Sequence, residues 1–87
     1  MAYDVVFSTV AERSLDKLDR QVLARIKPRV LALADVPRPA GCTKLSGHAS
    51  LWRIRVGDYR IVYDVDDERQ RIEVTVVAHR RESYRGL

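Results

Sequence analysis

The sequence predicts an α+β domain of order β-α-α-β-β-β, in which an antiparallel sheet carries an N-terminal helical hairpin on one face. Three observations point there. Apolar residues recur at helical spacing in the front half of the chain and stop at Pro37-Arg38-Pro39. From Leu51 the apolar period becomes two. Two alternating runs then flank Gly57-Asp58, a natural two-residue hairpin turn with glycine in the first position, as a type II′ turn prefers.

Taken in order, Tyr3-Asp4-Val5-Val6-Phe7 is a short β-type run. Thr9 and Glu12 form a capping-box pattern, and Ala11, Leu15 and Leu18 follow at helical spacing, which predicts a helix near 9–18. Asp19 is the expected N-cap of a second helix near 20–35, with Val22 or Leu23, Ile26, Val30 and Leu33 as its apolar stripe. Pro28 falls inside that stretch. A proline there lacks the amide hydrogen and crowds the preceding turn, at a cost of about 3 kcal/mol. A kink, or a helix restarting near Lys27, is expected. A loop rich in small residues runs to Lys44-Leu45-Ser46-Gly47. Trp52, Ile54 and Val56 alternate with Arg53 and Arg55; Tyr59, Ile61, Tyr63 and Val65 alternate with Arg60, Val62 and Asp64. Asp66 to Gln70 read as a polar turn whose Asp66-Asp67-Glu68 run is simply solvated. Ile72 to Ala78 read as a long β-branched strand.

With 87 residues and 46% hydrophobic content, the chain reads as a single domain, 1–87, of modest stability. It has no apolar run long enough to cross a membrane and no secretory pattern at its start. Cys42 is the only cysteine, which fits a reducing cytoplasm. The net charge of +4 is uneven: residues 37–63 carry +4, residues 64–78 carry −3, and residues 79–87 carry +2. Thirteen of the sixteen basic residues are arginine, whose planar fork matches phosphate oxygens. A focused anion site or a mixed solvated surface both fit this distribution.

Register sharpens the choice. If Gly57-Asp58 closes the hairpin, Val56 faces Tyr59, Arg55 faces Arg60, Ile54 faces Ile61, Arg53 faces Val62 and Trp52 faces Tyr63. Trp52, Ile54, Val56, Tyr59, Ile61 and Tyr63 then lie under the helices. Arg53, Arg55 and Arg60 share the other face. Like charges opposed on a sheet are destabilising, and a bound polyanion would relieve them. The alternative is that the arginines fan apart in solvent, with Asp64 offsetting part of their field. The closing run His79-Arg80-Arg81-Glu82-Ser83-Tyr84-Arg85 follows the last strand, so it can reach the same sheet edge. His79 brings the one side chain type that changes charge near neutral pH, and Tyr84 can stack on a base or cap the core. His48 and Cys42 have no evident role. There is no phosphate-cradling glycine loop, metal-ligand set or serine–histidine motif, so no cofactor or metal is expected.

These residues are familiar together. The block Trp52 to Tyr63, Asp66-Asp67, the closing His79 to Arg85 run, Leu15-Asp16-Lys17-Leu18, and Pro37-Arg38-Pro39 to Lys44-Leu45-Ser46-Gly47 resemble the RelE/ParE toxins of type II toxin–antitoxin systems, over essentially the whole chain. The resemblance implies the same fold and a cognate antitoxin as partner. For the RelE branch it implies cleavage of mRNA on the ribosome without a metal: the 2′-hydroxyl attacks the adjacent phosphorus, leaving a 2′,3′-cyclic phosphate and a 5′-hydroxyl. Carried over by position, Arg60 is the phosphate clamp, and Arg80 stabilises or protonates the leaving group. Tyr84 orients the substrate, although its spacing from Arg80 is shorter than usual. Arg53 and Arg55 stand where the family often has lysines, one of them sometimes a base. Arginine keeps its proton, so Arg53 and Arg55 are expected to bind phosphates, with Arg81 and Lys44 as further substrate contacts. Proton transfer then falls to His79 or a water. The ParE branch implies a non-catalytic poison of DNA gyrase, and an inactive antitoxin-binding relative is a third alternative. The arginine set favours the RelE branch.

Overall fold

The computed structural model describes residues 2–47 and 49–81. Strand β1 (Asp4–Phe7) leads into helices α1 (Thr9–Asp16) and α2 (Arg20–Leu31), and a 3₁₀ turn at Ala32–Ala34 extends α2. Strands β2 (Thr43–Lys44), β3 (Leu51–Val56), β4 (Tyr59–Asp66) and β5 (Arg71–His79) complete a five-stranded sheet of order β1-β5-β4-β3-β2. Its pairings are antiparallel except one. β1 runs parallel to β5, with Asp4 opposite Arg71 and Phe7 opposite Val74. The sheet is therefore mixed, where alternation alone suggested an antiparallel one. Backbone bonds from Asp4 N to Gln70 O (2.9 Å) and from Ser8 N to Val74 O (2.9 Å) hold the parallel pair at both ends. The second departure is β2, a two-residue edge strand within what reads as loop; it is too short to show a period.

The first helix is capped one residue earlier than the capping-box pattern suggests. Ser8 is extended, with ψ at 161°, and its Oγ accepts the Ala11 N–H at 3.1 Å; Thr9 is already helical. Asp19 caps α2 as expected, accepting from Val22 N at 2.9 Å. Helix α2 passes through Pro28 without a break, so the restart near Lys27 does not occur. Pro28 faces solvent, where water can reach the Ala24 carbonyl that has lost its amide donor. On the opposite side, Ile26 and Val30 are buried against the sheet, each contributing about 1.5–3 kcal/mol, enough to offset the proline.

The main core lies between the helices and one sheet face. Ala11, Ile26, Val30 and Leu33 meet Ile54, Val56, Ile61, Tyr63, Val65, Ile72, Val74 and Val77. A bulge opposite Val62/Tyr63 shifts the register of β5 at Thr75, so Ile72, Val74 and Val77 all face this core. Thr75 Oγ1 donates to Val62 O at 3.3 Å across the irregularity.

Asp67 is more than a solvated turn residue. It accepts from Tyr3 Oη at 2.7 Å and pairs with Arg38 at 2.7 Å, while the Arg38 guanidinium lies 5.2 Å from the centre of the Trp52 ring. Four segments remote in sequence meet there. The Arg38 hydrogen bond, then that of Tyr3, holds the Asp67 carboxyl below the usual carboxylate range, and the Asp67 bond pushes the Tyr3 hydroxyl up. A depressed carboxylate stabilises above its unfolded pKa of about 4 and loses that contribution as pH falls through the folded value. Asp67→Asn is therefore expected to lower the urea midpoint at pH 7 and to make progressively less difference as the solution is acidified below the carboxylate range. An equal difference at every pH would show that the carboxylate's charge contributes nothing.

Candidate functional site

The β3–β4 hairpin builds the site. Gly57 has φ +59°, while Asp58 is absent from the left-handed region, the combination a type II′ turn requires. This turn fixes the register as the sequence implies: Val56 opposite Tyr59, Arg55 opposite Arg60, Ile54 opposite Ile61, Arg53 opposite Val62 and Trp52 opposite Tyr63. Arg53, Arg55 and Arg60 consequently share the face turned away from the helices. Pairing of β4 with β5 sets Ala78 opposite Arg60 and His79 opposite Tyr59. Arg80 then falls on the arginine side.

Arg55, Arg60 and Arg80 line one cleft of about 50 Å³ with Gly57, Asp58 and Tyr59. Arg60 is the most enclosed of the group, at 7% exposure, and small Ala78 beside it leaves the cleft open. Asp58 holds Arg80 in two ways. Its carbonyl accepts the Arg80 N–H at 2.7 Å, and its Oδ1 lies 3.9 Å from Arg80 Nε. In the sequence Asp58 reads only as a turn residue. The length of β5, which brings residue 80 level with the turn, gives it this second task.

The other candidates lie elsewhere. His79 is on the helix side of the hairpin, where its ring meets Tyr59 edge to face at 5.2 Å and lines a separate cleft of about 260 Å³ with Val22, Arg25, Val56, Gly57, Asp58 and Tyr59. Its Nδ1 accepts the Arg81 N–H at 3.2 Å. The structure does not bring it to the arginines. Arg81 is exposed in the turn after β5. Lys44 pairs with Trp52 on β3, so it belongs to the face opposite Arg53; Thr43 is the β2 residue beside Arg53. Tyr84 and His48 lie outside the described residues. Among the described residues, no group of three or more His, Cys, Asp or Glu is placed to hold a metal ion.

Three arginines line this cleft at the hairpin tip, and guanidinium forks match the oxygens of a phosphodiester. Opposing Arg55 and Arg60 works against folding. Arg55→Thr is expected to raise stability by about 0.2–1 kcal/mol at low salt, and by less at high salt. Thermal unfolding at two ionic strengths checks this, and a lower stability at both would mean that the arginine pair supports the fold.

The sequence pattern of the family described as "ParE toxin of type II toxin-antitoxin system, parDE" matches residues 5–84. Toxin RelE of Mycobacterium tuberculosis (strain ATCC 25618 / H37Rv) is 33% identical over 84 residues, 95% of this chain and 87% of that protein. Toxin RelG of the same strain is 34% identical over 86 residues, 98% of this chain and 99% of that protein. Among solved structures, the archaeal RelE–RelB complex from Pyrococcus horikoshii OT3 superposes with TM-score 0.81 at 27% identity, covering 92% of this chain and 97% of that one. The toxin–antitoxin complex RelBE2 from Mycobacterium tuberculosis gives 0.80 at 31% identity, covering 91% and 99%. The isolated E. coli RelE toxin gives 0.80 at 29% identity, covering 90% and 84%.

Proposed function

Because this chain belongs to the RelE/ParE family of type II toxin–antitoxin toxins, we propose that it is a ribosome-dependent mRNA endoribonuclease that inhibits translation. The observation supporting this reading is the cleft at the hairpin tip that Arg55, Arg60 and Arg80 line together. A gyrase poison working through protein contacts has no need of three guanidiniums gathered around one small cleft.

In this reading the mRNA backbone crosses the outer face of the hairpin, guided by Arg53 and Arg55. Arg60 grips the scissile phosphate, where negative charge grows as the 2′-oxygen forms its bond to phosphorus. The P–O5′ bond breaks, giving the 2′,3′-cyclic phosphate and a free 5′-hydroxyl. Arg80, held by Asp58, stabilises the departing oxygen. Arginine cannot serve as a base, so a water in the cleft takes the 2′-hydroxyl proton and delivers one to O5′. His79 is across the sheet and takes no direct part.

The partner in the cell is a cognate antitoxin, as in the RelE–RelB and RelBE2 complexes. Exposed Val10, Leu31 and Val36 offer it apolar surface. Its binding would also stabilise this small domain by mass action.

The deciding experiment is induction in cells with mapping of mRNA 5′ ends, beside an Arg60→Ala variant. New ends within translated codons, lost in the variant, support the ribonuclease. Growth arrest with intact mRNA moves the assignment to DNA gyrase, and no arrest leaves an inactive antitoxin-binding relative.

A further inference from the structure

His79 lies one residue before Arg80 and on the opposite face of the sheet. Its ring nitrogen is nevertheless tied to the backbone of the segment that carries Arg80. Nδ1 accepts the Arg81 N–H at 3.2 Å, an acceptor role open only to an unprotonated Nδ1. Edge-to-face contact with Tyr59, its partner across the strands, fixes the ring. Arg80 itself is held from the other side by the Asp58 carbonyl and carboxylate. The two grips act on consecutive peptides, 80 and 81, and together they set the direction in which Arg80 leaves the strand.

We propose that His79 is a positioning residue for Arg80: its neutral ring, by accepting the Arg81 N–H, locks the 79–81 backbone and aims the Arg80 guanidinium into the arginine cleft. The inference rests on the ribonuclease reading of that cleft. Acidification works against the lock. A proton on Nδ1 turns the acceptor into a donor facing another donor. The groups around the ring add to this on balance. Arg25 of α2 shares its cleft, and Arg80 and Arg81 follow it in the chain, all cationic. Among the described residues Asp58 of the turn is the one carboxylate lining that cleft, already paired with Arg80, and Tyr59 is the ring that His79 meets edge to face. Protonated His79 thus loses its backbone bond and, among the described residues, shares its cleft with the cation of Arg25. Activity should therefore be present while Nδ1 is free to accept and fall once it is protonated.

The test uses the full chain in two measurements. NMR follows the His79 ring, the Arg81 amide and the Arg80 Nε–H through a pH titration. The pH profile for cleavage of a ribosome-bound mRNA is recorded for wild type, His79→Ala and His79→Asn. Asparagine places an acceptor oxygen where Nδ1 lies but does not titrate. The Arg81 and Arg80 signals should follow the His79 titration in wild type and stay fixed in H79N. H79A should lose about tenfold or more in kcat, with KM little changed, as expected for a misplaced group. H79N should recover the rate and lack the acid limb. Signals at Arg81 and Arg80 that ignore the His79 titration, or an H79A enzyme with the wild-type rate and profile, overturn the proposal while leaving the ribonuclease standing. Intact NMR coupling without any cleavage by wild type overturns the ribonuclease reading instead, and the catalytic consequence of His79 with it.

Discussion

Arg60→Ala is expected to lower mRNA cleavage by about 10²–10³-fold, the loss typical of removing one preorganised donor from a developing oxyanion. Arg60 is the arginine of the cleft with the least solvent around it, so its charge is the least screened and its fork the most fixed. Arg60→Lys should recover only a small part of the rate, because an ammonium is a point charge and cannot span two phosphate oxygens. Single-turnover cleavage by purified protein on programmed ribosomes separates these cases. Unfolding curves for the same variants show whether the fold survives. A rate in Arg60→Ala within a few-fold of wild type, with the fold intact, would remove Arg60 from the phosphate site.

The largest effect on stability is expected at Tyr63. It is fully buried in the centre of β4, packed in the core, and its hydroxyl donates to the Pro37 carbonyl at 2.7 Å. Burial pushes its hydroxyl pKa well up, so the ring stays neutral and the bond is kept across the ordinary pH range. Tyr63→Ala removes a large buried ring, at about 3–5 kcal/mol. A domain of this size has roughly 4–13 kcal/mol in total. The variant should be largely unfolded or close to it at 37 °C. Tyr63→Phe keeps the ring and leaves the Pro37 carbonyl without its partner, at about 1–3 kcal/mol. It should also loosen the loop that carries Arg38 to Asp67. Urea unfolding of both variants checks the order, and a Phe variant as stable as wild type would show that water replaces the hydroxyl at Pro37.

The arginine face was legible because a two-residue turn fixes register and register fixes faces. Gly57-Asp58 alone decides that Arg53, Arg55 and Arg60 share a side. Other features had no such local marker. The partner of β1 is 67 positions away, and nothing in Asp4–Phe7 says whether it will run parallel or antiparallel to β5. Pro28 follows helix rules only when its exposed side is known. Which of His79 and Arg80 reaches the cleft depends on how far β5 runs before the turn, and strand ends are poorly marked in sequence. Asp67 looks like any solvated turn carboxylate until Tyr3, Arg38 and Trp52 arrive from elsewhere in the chain.

The parallel pairing of β1 with β5 has a consequence for synthesis. β5 lies between β1 and β4, so among the described residues the fifth strand joins the first to the rest of the sheet. A nascent chain that has emerged only as far as β4 can form its helices and its hairpin, but β1 has no neighbour and Arg80 is not yet beside Asp58. Long-range closure of this kind comes late in folding. The arginine cleft is therefore incomplete until β5 has joined the sheet, because that strand carries Arg80 to its place beside Asp58.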